Sequence, residues 1–175
     1  MRKIVAYVAT SADGFIARPD GDVRWLDRPE PKGGYGMSAF YKTVDTVLLG
    51  RKTFDVGRKL GHPVFPGKKN YVFSRRLKAP PHPEVELLKG DVEQLGRTLR
   101  RRRGKDIWLV GGGELIGAFL DAGQVDELIV HVIPVLIGEG IPLVAPRHRE
   151  VPLQLTATRR YSDGVVRLSY AVPRR

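Results

Sequence analysis

The feature that most constrains this chain is an apolar run, Ile107–Val110, that ends in Gly111, Gly112 and Gly113 and passes directly into the helical pattern Glu114–Ala122. A short apolar run before a glycine turn reads as a buried strand, and Leu115, Phe119 and Leu120 mark the apolar side of the following helix. Glycine lets the backbone approach an anion with no side chain in the way. The helix N-terminus adds free N–H groups and the positive end of its dipole. The same order recurs upstream: Thr46–Leu49 reads as a strand followed by Gly50-Arg51-Lys52-Thr53 and a short helix to Arg58, and the strand Asn70–Phe73 ends in Ser74-Arg75-Arg76. Gly50 permits the turn, Thr53 can cap or donate, and the cations can neutralise phosphate oxygens. In a parallel sheet these three ends line one edge, where open α/β sheets bind ligands, and the set suits a ligand with several phosphates.

The remaining pattern supplies the rest of such a sheet. Ile4–Val8 predicts a first strand, closed by the Ser11-Ala12-Asp13-Gly14 turn, and Val85–Leu88 a weaker one. Met37–Thr43 predicts a short helix after a long loop over residues 18–36. Asp91–Arg103 predicts a helix with Val92, Leu95 and Leu99 at helical spacing, Asp91 as N-cap and Gly104 as its stop. Leu128–Ile137 predicts a long apolar strand in which Pro134 demands a bulge or an edge position. Leu155–Tyr161, the Ser162-Asp163-Gly164 turn and Val165–Val172 predict an antiparallel hairpin. The expected class is α/β, with a mixed, mostly parallel central sheet flanked by helices and a C-terminal antiparallel hairpin. With 175 residues, no internal repeat and no linker-like stretch, residues 1–175 are expected to form one domain.

Charge narrows the partners. Thirty Lys and Arg against 19 Asp and Glu give a net charge of +11, which attracts polyanions and phosphorylated small molecules alike. The Arg100–Arg103 run is expected on the polar face or frayed end of its helix, where cations complement the dipole and are solvated. No zinc-finger spacing or paired RNP aromatics accompany it, so no specific nucleic-acid partner is expected. A basic nucleic-acid-binding protein and a nucleotide sensor without turnover are the alternatives to an enzyme. No window approaches the roughly 18 apolar residues of a membrane span, and Thr10, Ser11 and Asp13 interrupt the only apolar run near Arg2 and Lys3, against a signal peptide. The absence of cysteine removes disulfides, thiolate zinc sites and cysteine nucleophiles, and fits a cytoplasmic location. His62, His82, His131 and His148 are too scattered for a metal site, and His131, inside an apolar strand, reads as packed or at the surface rather than as a base. No G-x-S-x-G signature supports acyl transfer, and Gly111, Gly113 and Gly117 miss the G-x-G-x-x-G spacing by one residue.

Taken together, Ser11–Ala17, Trp25-Leu26, Asp45–Phe54, Ser74-Arg75, Val110–Leu115, and Val125–Leu128 running to Pro134 and Gly138-Glu139-Gly140 resemble the dihydrofolate reductase superfamily. The closer resemblance is to the branch holding the reductase domain of riboflavin biosynthesis and its bacterial stand-alone relatives. It implies NADPH lying across the strand ends, with Gly50, Arg51, Lys52 and Thr53, and Val110, Gly111, Gly112, Gly113 and Glu114, around the pyrophosphate. It implies Ser74 and Arg75, with Arg51 or Arg76, at the adenosine 2′-phosphate. The backbones of Ala9 and Ile16 would grip the nicotinamide carboxamide beneath a mobile loop carrying Trp25. The folate enzymes carry an acidic residue where this chain has Tyr35-Gly36-Met37-Ser38-Ala39-Phe40, so Asp27 and Glu30 are the candidate proton donors, and Tyr35 and Phe40 candidate substrate-pocket residues. The implied activity is NADPH-dependent hydride transfer to a C=N or C=O group of a small heteroaromatic or sugar-derived substrate. Relatives with this C-terminal segment commonly dimerise, so a homodimer is expected, aided by the apolar Leu128–Leu136 stretch.

Overall fold

In the computed structural model, which describes residues 1–173, the short apolar runs become strands of one sheet. The elements are β1 Ile4–Ser11, β2 Phe15–Ala17, α1 Met37–Thr43, β3 Val44–Gly50, α2 Arg51–Lys59, β4 Lys69–Phe73, β5 Val85–Leu88 and α3 Val92–Arg101. They continue with β6 Asp106–Gly111, α4 Gly113–Asp121, β7 Glu127–Ile133, β8 Ile141–Pro142, β9 Gln154–Arg160 and β10 Val166–Ala171. Eight strands run in the order β5-β4-β3-β6-β1-β7-β10-β9. All pairs from β5 to β7 are parallel, and β10 is antiparallel to both β7 and β9. A separate antiparallel pair, β2 with β8, joins the segment after β1 to the segment after β7.

The strands read as continuous apolar runs because both sheet faces are covered. Successive residues of β1 alternate between two cores. Ile4, Ala6 and Val8 pack with Leu99, Leu115, Ile116 and Phe119 on the α3–α4 side, whereas Val5 and Tyr7 pack with Trp108, Phe54 and Phe40 on the α1–α2 side. Among the described residues no helix is long and apolar enough to cross a membrane.

Three expectations are corrected. Strand β1 runs past Val8 to Ser11, because Thr10 and Ser11 are buried and continue the ladder with Val132 and Ile133. Strand β7 ends at Ile133, so Pro134 lies beyond it and needs neither a bulge nor an edge: a residue without N–H ends the ladder. That strand is internal, with Leu128 and Val130 buried, whereas Pro134 and Leu136 beyond it are exposed. The third concerns Arg100, which is buried rather than solvated. Its Nη1 lies 2.7 Å from Asp126 Oδ2, and its Nη2 donates to the Gln124 carbonyl at 2.8 Å. Gly96, one helical turn earlier on the same face, explains this: a Cβ there would stand 2.8 Å from Gln124, so the helix lies close enough to draw the next turn's guanidinium inside. Arg101, Arg102 and Arg103 do remain exposed.

Candidate functional site

Strand register places the three reversals at one sheet edge. Leu49 pairs with Gly111 and Gly50 with Phe73, so the turns beginning at Gly50, at Ser74 and at Gly111 leave the sheet side by side. Strand β1, parallel to β6, brings Ala9 and its neighbours to the same edge. A Cβ on Gly50 would lie 3.5 Å from both the Gly111 oxygen and the Gly112 nitrogen. One on Gly112 would lie 3.2 Å from Thr53 Oγ1 and 3.7 Å from Ile16 Cδ1. Ile16, Thr53 and Gly112, from β2, α2 and the α4 turn, therefore face one small gap.

Both helices at this edge start on glycine. Gly50 is the N-cap of α2 and Gly112 of α4, and neither start has a side-chain capping bond. By contrast, α3 is capped by Asp91 Oδ1, which accepts the Gln94 N–H at 2.8 Å. The first-turn N–H groups of α2 and α4 are thus left without a side-chain acceptor, the condition under which a helix start holds an anion. Gly113 has a different reason to be glycine. A Cβ there would collide with the Pro142 carbonyl oxygen and stand 3.3 Å from that of Leu143, on a segment whose Ala145 N–H donates to the Gly113 oxygen at 3.1 Å. Val110, just before, is half-buried, and the Gly111–Gly112 peptide is cis.

The cations differ in their freedom. Arg51 Nε lies 3.2 Å from Asp55 Oδ2, and Lys52 Nζ lies 3.1 Å from Glu114 Oε1, tying the first turn of α2 to that of α4. Arg75 and Arg76 are exposed and, among the described residues, take part in no ion pair. Ser74 is buried, and its Oγ accepts the N–H groups of Arg76 and Leu77, both at 3.2 Å. Its acceptor capacity shapes the turn that presents the two guanidiniums.

On the other side of β1, the 18–36 loop folds down over β7 and β10. It contains a 3₁₀ turn, Arg24–Leu26, from which Trp25 and Leu26 pack against the buried Ile133, Tyr161 and Val165, as do Ala9 and Tyr35. The loop is tied to the β9–β10 turn through Asp163. The Tyr35 hydroxyl donates to its Oδ2, and Arg28 Nη2 donates to its main-chain oxygen at 2.9 Å. The Tyr35 bond holds the Asp163 carboxyl below the usual carboxylate range, while burial and the same bond push the Tyr35 phenol up to about 12. Phe40 of α1 stacks on Tyr7, with ring centroids 4.2 Å apart, and both meet Trp108 edge-on. His131 lies 4.9 Å from the Tyr7 ring, and burial holds its imidazole below the ordinary histidine value.

Tyr35 and Phe40 fall in separate clusters joined through Tyr7 and His131: Phe40 stacks on Tyr7, and the Tyr35 ring stands 6.2 Å from that of His131. Asp27 and Glu30 sit exposed on the loop, and the loop's described bonds to His131, Tyr161 and Asp163 come from Arg28 and Tyr35 instead. Sequence reasoning did not nominate Tyr7, Tyr161 or Asp163, and passed over His131 as a packed residue. A signal existed in part: Tyr7 and His131 are the polar interruptions of two apolar strands, but their neighbours come from distant segments.

A mostly parallel sheet with uncapped glycine turns at one edge and a C-terminal antiparallel hairpin defines a protein of the dihydrofolate-reductase-like class. Residues 2–167 match the model of the RibD C-terminal domain, and the chain belongs to that family. It is 40% identical over 166 residues to the uncharacterized protein YwjB of Bacillus subtilis, covering 94% of this chain and 95% of that one. The crystal structure of a Shewanella sp. PV-4 protein named for riboflavin biosynthesis superposes with a TM-score of 0.87 at 27% identity, over 99% of this chain and 100% of that chain. Dihydrofolate reductase from Enterococcus faecalis, complexed with NADP(H), shares the fold at a TM-score of 0.67 and 17% identity, over 97% and 96% of the two chains.

Proposed function

We propose that this chain is an NADPH-dependent oxidoreductase acting on a C=N or C=O group of a small heteroaromatic or sugar-derived substrate, in the manner of the riboflavin-pathway pyrimidine reductases. One observation carries the reading. Two helix starts without side-chain caps, those of α2 and α4, stand together at a gap that a single Cβ on Gly112 would fill, beside the turn carrying Arg75 and Arg76, two exposed guanidiniums with no ion pair among the described residues. Membership of the RibD C-terminal domain family and the NADP(H) complex of a dihydrofolate reductase of the same fold support it.

The residues fit a pyridine dinucleotide. When bound, NADPH supplies the hydride, and the protein supplies binding, orientation and charge complementarity. The first-turn N–H groups of α2 and α4, with the Thr53 hydroxyl, donate to pyrophosphate oxygens. Arg75 and Arg76 meet the 2′-phosphate that distinguishes NADPH from NADH. The main-chain groups of Ala9 and Ile16 hold the carboxamide. Trp25 excludes water from above, and Tyr35 and Phe40 offer an aromatic wall to a flat substrate ring. Asp27 or Glu30, both exposed on the loop, or water would deliver the proton.

Titration of the protein with NADPH and NADH, followed by quenching of tryptophan fluorescence, tests the reading. NADPH should bind well below millimolar and NADH at least about tenfold more weakly, a difference of roughly 1.4 kcal/mol. Equal binding of the two, or none, overturns it. Monitoring NADPH oxidation in the presence of pterins, pyrimidine ribosylamines and quinones then separates a turning-over reductase from a sensor.

A further inference from the structure

The main-chain oxygen of Tyr35 is the meeting point of three buried side chains from three separate segments. The Tyr161 hydroxyl donates to it at 2.8 Å, His131 Nε2 lies 3.2 Å away, and the Tyr7 hydroxyl 3.4 Å away. Tyr7, His131 and Tyr161 are each at most 6% exposed. A carbonyl oxygen has two lone pairs, so three potential donors saturate it, whereas an ordinary loop carbonyl faces water. The Tyr7 hydroxyl also lies 3.4 Å from His131 Nε2, so the imidazole can donate to the carbonyl or accept from Tyr7, according to which nitrogen carries its proton.

This oxygen sits at a position of leverage. Tyr35 precedes Gly36, the left-handed N-cap of α1 (φ +86°), whose own oxygen accepts the Phe40 N–H at 3.0 Å. Fixing the Tyr35 carbonyl therefore fixes the first turn of α1, and with it the Phe40 ring stacked on Tyr7. Arg167, paired with His131 across the β7–β10 ladder, closes the other side: its Nη1 stands 3.5 Å from where a Cβ on Gly36 would be.

We propose that Tyr7, His131 and Tyr161 form a clasp on the Tyr35 carbonyl, and that His131 is the positioning residue setting the placement of Tyr35 and, through the start of α1, of Phe40, the two residues proposed to meet the substrate. The catalytic consequence rests on the reductase reading, but the clasp itself does not. His131→Phe keeps a ring and removes its nitrogens; His131→Gln returns an N–H donor of similar reach. Hydrogen exchange of the amides over residues 24–37, read by mass spectrometry without cofactor, should quicken about tenfold in His131→Phe and recover in His131→Gln, with the β1, β3 and β6 amides unchanged. NADPH affinity should stay within about twofold of the parent while kcat falls, a split that general destabilisation does not produce. Tyr161→Phe, which deletes only the hydroxyl making the shortest bond, should quicken the same amides and replaces His131→Phe if that variant fails to fold. Unaltered exchange over residues 24–37, or identical behaviour of the Phe and Gln variants, overturns the clasp. Absent NADPH binding in the parent overturns the reductase reading alone, because the exchange comparison still decides the clasp.

Discussion

The Thr53 hydroxyl oxygen stands 3.2 Å from the position that a Cβ on Gly112 would take, so two turns 59 residues apart are spaced by the absence of one methyl group. Gly112 has φ −81°, which any residue tolerates, and alanine there is opposed by space alone. Gly112→Ala should therefore weaken NADPH binding by about tenfold or more while changing stability by no more than about 0.5–1 kcal/mol. Gly113→Ala should do the reverse, since its Cβ meets the main-chain oxygens of Pro142 and Leu143, which move only with their segment. That overpacking should cost about 1–3 kcal/mol. Fluorescence titration and urea denaturation of both variants check the pair, and interchanged results would show that the gap is not the cofactor's.

Arg75 and Arg76 make no ion pair among the described residues, whereas Arg51 and Lys52 already face Asp55 and Glu114. Replacing both arginines by alanine should lower NADPH affinity by about tenfold to a hundredfold and leave NADH affinity nearly unchanged, because each charge-assisted bond contributes about 1.5–3 kcal/mol before solvent screening reduces it. Arg51→Ala should change the NADPH/NADH ratio far less. Dissociation constants for both nucleotides across the three proteins decide it, and a ratio unmoved by the double substitution would remove these arginines from the site.

Arg100 belongs to the fold rather than to any charged surface. Its guanidinium is buried against Asp126, whose Oδ2 also accepts the Ile4 N–H at 2.7 Å, so helix α3 is tied to the first strand through one carboxylate. Arg100→Ala breaks that buried ion pair by removing one partner and should cost about 3–5 kcal/mol. Arg101→Ala and Arg103→Ala, at exposed positions, should stay within about 0.5 kcal/mol. Urea midpoints of the three variants give the comparison, and a mild Arg100→Ala would mean that water reaches Asp126.

What could be read in the sequence was whatever has a local signature. Gly50 and Gly111 to Gly113 announce themselves because a glycine between an apolar run and a helical pattern has few other uses, and the element order followed from the same alternation. Arg100 was misplaced because helical spacing weighs Leu95 and Leu99 but not the missing side chain of Gly96, which widens the inward face by the contact it allows with Gln124. The meeting of Ile16, Thr53 and Gly112 depends on strand register and on the β2–β8 pair, whose three- and two-residue strands are too short to show a period. The Tyr35 clasp was invisible for a further reason. Its acceptor is a main-chain oxygen, identical at every residue, and its donors sit one each on distant segments. Asp163 was read as a turn residue, which it is, and its second use as the anchor of Tyr35 and Arg28 appears only when the loop is folded onto the hairpin.

The same histidine gives the fold a pH dependence whose sign can be worked out. Burial is the main reason that the His131 imidazole lies below its ordinary value of 6.5; the backbones of Tyr35 and Val8 pull it upward, and the Arg167 charge adds to the lowering. The facing Tyr7 hydroxyl, pushed up to about 12 by its own burial, stays neutral throughout this range. In the unfolded chain His131 takes up a proton near 6.5, and in the folded chain only at lower pH, so between these values the unfolded state binds more protons. The contribution is therefore complete above 6.5 and is lost as pH falls from there towards the folded value, with a slope of at most about 1.4 kcal/mol per pH unit for one group. Asp163 is lowered too, but its contribution is present above the ordinary carboxylate range and begins to disappear only in stronger acid than that at which the His131 contribution begins to fall. Urea unfolding between pH 5 and pH 8 should show the parent losing stability relative to His131→Gln as pH drops, because glutamine does not titrate. Parallel curves for the two proteins would mean that the imidazole titrates as freely in the fold as out of it, and that the ring is not shut beneath Tyr35.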